Sequence, residues 1–149
     1  MKTINRQAAA AHEVLMMNLA IFHLLLPVAA LSSGYMTIVL TISLIGSLLI
    51  MFYINYRSRT GHQDDFVALN WKLAWKRCRL LLISYAIAAL IMLLGLVLAL
   101  IQPDHGMYSI ILVVFSRIAA VPIVLMVLAL FVMATTDLSQ ARQGVMAKP

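Results

Sequence analysis

Residues 14–56 carry no formal charge, and neither do residues 80–103. An uncharged apolar run of about 18 residues or more is long enough to cross the hydrocarbon core of a bilayer, about 30 Å thick, as a helix. Lipid offers no water to the backbone. Each crossing segment must therefore satisfy its own N–H and C=O groups, and a helix does so within one segment. The chain is 64% hydrophobic and 11% charged, against about 25% charged residues in soluble domains. These features predict an all-α integral membrane protein, folded as one domain over residues 1–149.

Breaker residues divide the apolar stretches into four predicted spans, at about 14–31, 35–56, 80–102 and 108–134. Ser32, Ser33 and Gly34 form a very short turn after the first. Pro103, Asp104, His105 and Gly106 form a second between the third and fourth. The third run would rise about 36 Å as a helix, enough to cross with some tilt. Lys2, Arg6 and the apolar run ending at Val28-Ala29-Ala30 also have the layout of a secretory leader. The segment is expected to be retained as the first span.

The net charge of +6 does not point to nucleic acid, because the positive residues flank apolar spans. Between the second and third spans lie Arg57, Arg59, Lys72, Lys76, Arg77 and Arg79, offset by Asp64 and Asp65. Lys2 and Arg6 precede the first span, and Arg142 and Lys148 follow the fourth. The two short turns hold no Lys or Arg. The positive-inside rule then puts both termini and the central connector in the cytoplasm, with the fold arranged as two hairpins. The expected location is a bacterial-type inner (plasma) membrane. Cys78 is the single cysteine, so no internal disulfide forms.

The connector itself has helical features. Asp64 and Asp65 suit a helix start. Phe66, Leu69, Leu73 and Leu80 recur near one face, and Lys72, Lys76 and Arg79 form a basic one. Trp71 and Trp75, four apart, are helix neighbours. This pattern predicts an amphipathic helix in the membrane interface, with both tryptophans at headgroup depth.

Arg117 and His23 are the candidate functional residues. Arg117 interrupts an otherwise uncharged stretch from Gly106 to Thr136. A charge at mid-bilayer costs about 2.5–3.5 kcal/mol on insertion scales, so it requires a partner or a route to water. It either snorkels to the outer surface or contacts a partner, substrate or ion. His23 lies near the middle of the first span, where it can bond a neighbouring helix, carry protons or ligate haem. The other histidines, His12, His62 and His105, fall at or outside the span boundaries, so a haem ligand set within one chain is incomplete. Glu13 sits at the start of the first span and suits the positive helix end. Ser43, Gly46 and Ser47, and likewise Ser84, Ala88 and Gly95, form small-residue stripes for close helix contact. Pro27 and Pro122 can kink their helices and free a carbonyl.

The sequence holds no P-loop, zinc-ligand spacing, nucleophile elbow or selectivity filter. The expectation is a non-catalytic accessory subunit of a larger inner-membrane complex. It carries no cofactor or metal, binds membrane lipid and other transmembrane subunits, and does not bind nucleic acid. The alternatives are a small homo-oligomeric transporter or channel lined by His23 and Arg117, or a redox subunit sharing haem between chains through His23.

Reporter fusions test the topology. A fusion at Gly106 should report the external side and one at Pro149 the cytoplasm. The opposite sidedness at Pro149 would overturn it.

Overall fold

Asp64 shows how local chemistry sets the helix boundaries. Its Oδ1 accepts hydrogen bonds from the backbone N–H groups of Phe66 at 2.8 Å and Val67 at 3.4 Å, capping a helix start as short polar side chains do. Asp104 repeats the device, accepting from Gly106 N–H at 2.8 Å. The computed structural model describes residues 2–61 and 64–145 (for Ser33, the backbone alone). His62, Lys148 and Pro149 lie outside the described residues.

All elements among the described residues are helical. In order they are α1 (Lys2–Asn18), a π-helical turn (Leu19–Leu25), α2 (Leu26–Ser33), α3 (Met36–Arg59), α4 (Asp65–Leu100) and α5 (His105–Gln143). Four stretches are long and apolar enough to cross a membrane: Lys2–Ser32, Met36–Arg59, Asp65–Leu100 and His105–Gln143. Gly34 ends α2 in the left-handed region at φ 71°, which glycine enters without steric cost. Gly144, at φ 73°, ends α5. There Val145 N–H bonds Gln140 C=O and Gly144 N–H bonds Ala141 C=O, the paired closure of a Schellman end.

The π turn has a local cause in Pro27. A proline ring collides with the carbonyl four residues back, here that of His23, and donates no N–H. Widening the helix just upstream relieves this, and the Leu26 N–H bonds Ile21 C=O, five residues back. Pro122, by contrast, sits inside α5 without ending it.

The helices form two units. The first comprises residues 1–78 and 130–149. Its core repeats at helical spacing on three helices: Ala8, Ala11 and Leu15 on α1, Val67, Trp71, Ala74 and Cys78 on α4, and Leu130, Ala134 and Ala141 on α5. Met51 and Ile54 add the contribution of α3. Higher in this unit, Ser43 Oγ donates to the Phe22 carbonyl, and Gly46 lies directly against the Phe22 ring.

The second unit, residues 79–129, contains the rest of α4 and the first part of α5. Small residues let these helices meet. Ser84, Ala88 and Ala99 are buried on α4 and Ala119 on α5. A methyl group added at Gly95 would stand 2.5 Å from Phe115 Cβ, nearer than van der Waals contact allows. That atom is fixed to the α5 backbone and cannot swing aside.

Gly95→Ala should therefore cost about 1–3 kcal/mol through overpacking. Gly61→Ala, with nothing within 4 Å of the added carbon, should be close to neutral. Unfolding of both variants in mixed micelles measures the contrast. Equal stabilities would show that α4 and α5 do not pack through Gly95.

Candidate functional site

In the first unit, several polar side chains point into the core. His12, Asn18, Ser47, Asn70 and Asp137 are each less than 5% exposed. His12 and Asn18 fall on the same α1 stripe as Leu15, three residues either side of it, so helix periodicity carries all three inward. Asp137 lies three residues from Ala134 and four from Ala141 on α5, again one inward stripe. These side chains occupy positions where an apolar residue would serve packing better. Each therefore needs a polar partner.

The network supplies partners between helices. Arg77 Nε on α4 donates to Asp137 Oδ2 on α5 at 3.3 Å, with the two side chains 13% and 6% exposed. His12 Nε2 and Asn70 Oδ1 lie 3.0 Å apart. Asn70 Nδ2 donates to the Phe66 carbonyl at 2.8 Å. That bond orients the amide so that its oxygen faces His12, and His12 must then donate from Nε2. His12 Nδ1, both amide atoms of Asn18 and Ser47 Oγ remain buried without a hydrogen-bond partner among the described residues. At the solvent-facing edge, Arg142 Nη2 donates to Glu13 Oε1 at 2.8 Å. That pair is largely exposed and contributes about 1 kcal/mol or less.

Trp71 is enclosed by side chains of neighbouring helices. Residues 65–79 are helical, but α4 continues without a break to Leu100, since no proline or glycine interrupts residues 65–94. The Trp71 ring is 3% exposed. It stands edge-on to Tyr53, with centroids 5.9 Å apart and planes at 83°, and the Arg57 guanidinium lies 5.2 Å from its centroid. Its position on the Val67–Ala74 stripe turns it inward. Trp75 is half-buried, while Lys72, Lys76 and Arg79 are exposed. An open groove of about 560 Å³ borders Trp71, lined also by Gln7, Val14, Tyr53, Arg57 and Asp64.

His23 lies within the π turn. Its Nδ1 is 3.2 Å from the Asn18 carbonyl of its own helix, so one ring nitrogen is engaged locally. Arg117 belongs to the second unit and is exposed. It finds no hydrogen-bond or ion-pair partner among the described residues of that unit. Among the described residues, no three His, Cys, Asp or Glu side chains converge as metal ligands.

Sequence reasoning missed Asp137. A signal for it was present, because Leu130, Ala134, Asp137 and Ala141 repeat at spacings of four, three and four. No protein-family model matches the chain, and comparisons with curated proteins and with solved structures return no match either.

Removing one member of the buried ion pair should cost more than removing both. Asp137→Ala leaves Arg77 buried and unpaired and should destabilise by about 3–5 kcal/mol. Arg77→Met combined with Asp137→Leu should recover most of that loss. Unfolding midpoints in mild detergent compare the variants, and a neutral Asp137→Ala would show that the pair does not hold α4 to α5.

Proposed function

We propose that this protein is a non-catalytic, accessory subunit of a larger complex in a bacterial-type inner membrane. In this reading the four spans form two hairpins with both termini in the cytoplasm. The exposure of Arg117 carries the proposal. In the first unit Arg77 pairs with Asp137 and His12 with Asn70. Arg117 instead projects from an apolar stretch of α5 with no partner in its unit. In the hydrocarbon a charge so placed either snorkels to the surface or takes a counterpart outside its own helix pair, and this reading takes the counterpart.

The apolar surroundings of Arg117 support the same reading. Ile110, Val114, Val121, Val124 and Leu128 are exposed, at 46–57% of their surface. Together with Arg117 they follow spacings of four and three residues, the repeat that lets one helix lie along another. Lipid would also cover such a stripe, and it is the arginine that distinguishes a protein contact from a lipid one. The exposed basic face of Lys72, Lys76 and Arg79 suits the anionic cytoplasmic leaflet.

Purification from native membranes in mild detergent tests this function. Wild type should recover with stoichiometric partner proteins. Arg117→Leu should insert at least as well, because leucine is the better lipid-facing residue, yet lose most of the partner. Arg117→Lys should rescue incompletely where a planar, multi-donor contact is needed. Recovery of wild type as a single species would overturn the subunit reading.

A further inference from the structure

We infer that the partner at Arg117 is a transmembrane helix of a different protein, bearing a carboxylate in the outer third of the membrane. This inference rests on the subunit reading and specifies the chemistry of the contact.

Depth comes first. Gly95 on α4 meets Phe115 on α5, which fixes the level of one helix against the other. Arg117, two residues further along α5, stands level with about Leu93 on the antiparallel α4. Leu93 is seven residues from the end of α4 at Leu100, about 10 Å at 1.5 Å per residue. In the other direction, Arg79 lies fourteen residues from Leu93, about 21 Å away. A core of about 30 Å thus contains Arg117 about a third of the way in from its outer side.

The source of the counter-charge follows from an inventory of this chain, which has five Asp and Glu residues. Asp104 caps the start of α5 through Gly106, thirteen residues or about 20 Å from Arg117. Asp137 is bound to Arg77 within the first unit. Glu13 pairs with Arg142, also in the first unit. Asp64 caps α4 and Asp65 is in its first turn, both in the first unit. Asp104 is the one carboxylate in the sequence of Arg117's own unit, so a second copy packed through that unit in the same orientation presents no carboxylate at the level of Arg117. Copies meeting symmetrically along the Val114–Arg117–Val121 stripe would set two arginines against each other. Charge complementarity selects a different helix, and the exposed 4/3 stripe gives that helix a track to follow.

The test uses the intact chain and a designed probe. The probe is a single-span leucine–alanine helix with one Asp seven residues from its outer end. Control helices carry Leu or Asn at that position, or the Asp seven residues from the inner end. Energy transfer between labelled chain and labelled probe is measured in phosphatidylcholine vesicles. The Asp probe should associate about 3- to 30-fold more tightly than the Leu probe, the range expected of interhelical polar contacts in lipid. The gain should disappear in Arg117→Leu and Arg117→Gln, and shrink when the Asp is at the inner end.

Equal association of the Asp and Leu probes would overturn the inference, with lipid phosphate satisfying Arg117. A gain that persists in both Arg117 variants would also overturn it, because the carboxylate would be recognised elsewhere. Self-association of the chain that is lost in Arg117→Leu would assign the stripe to a second copy. None of these outcomes alters recovery of partners from native membranes, so failure here is separable from failure of the subunit reading.

Discussion

A charge removed from water must find its opposite, and in this protein that requirement organises both the bundle and its surface. Arg77 on α4 and Asp137 on α5 meet their need within the chain, 3.3 Å apart and nearly sealed from solvent. The pair links helix regions sixty residues apart in sequence. A buried pair of this kind adds little net stability over a well-packed apolar contact, but it heavily penalises arrangements that separate its members. It therefore acts as a register mark. The His12–Asn70 bond does the same between α1 and α4, and Asn70 is held for it by the Phe66 carbonyl.

Packing within each unit follows residue size. Trp71 fills the space beside Tyr53 and Arg57, whereas Gly46 and Gly95 make room for Phe22 and Phe115. In lipid the hydrophobic effect does not drive one helix against another, and close approach through small residues supplies the attraction instead. Arg117 has no such arrangement in its own unit. Arg77 is enclosed, whereas Arg117 is exposed.

Much of the helix content was legible in the sequence, because hydropathy and breakers act locally. Uncharged runs marked four helices of spanning length, Gly34 and the Asp104 region marked turns, and Asp64 marked the start of α4. The small-residue stripes were legible too, since Ser43, Ser47, Ser84 and Ala88 are buried. The polar layer was not. Asp137 looks like the first residue of a polar tail until α5 is known to continue to Gln143 and Arg77 to lie opposite. Trp71 resembles an interface anchor, because tryptophan beside lysine is common there. Its enclosure beside Tyr53 and Arg57 is a property of the fold. Such pairings depend on residues about sixty positions apart, which no local window contains. Arg117 was identified from its charge alone, while its exposure is a property of the fold.

The central claim is that the Arg117 face of α5 is covered by another protein within the membrane. Site-specific photo-crosslinking from Val121, one helical turn from Arg117 on the same stripe, tests it most directly in intact cells. The account predicts one discrete protein adduct, heavier than the 16.5 kDa chain by a mass other than its own, and lost when Arg117 is leucine. Adducts to lipid alone, or a crosslinked pair of identical chains, would contradict it.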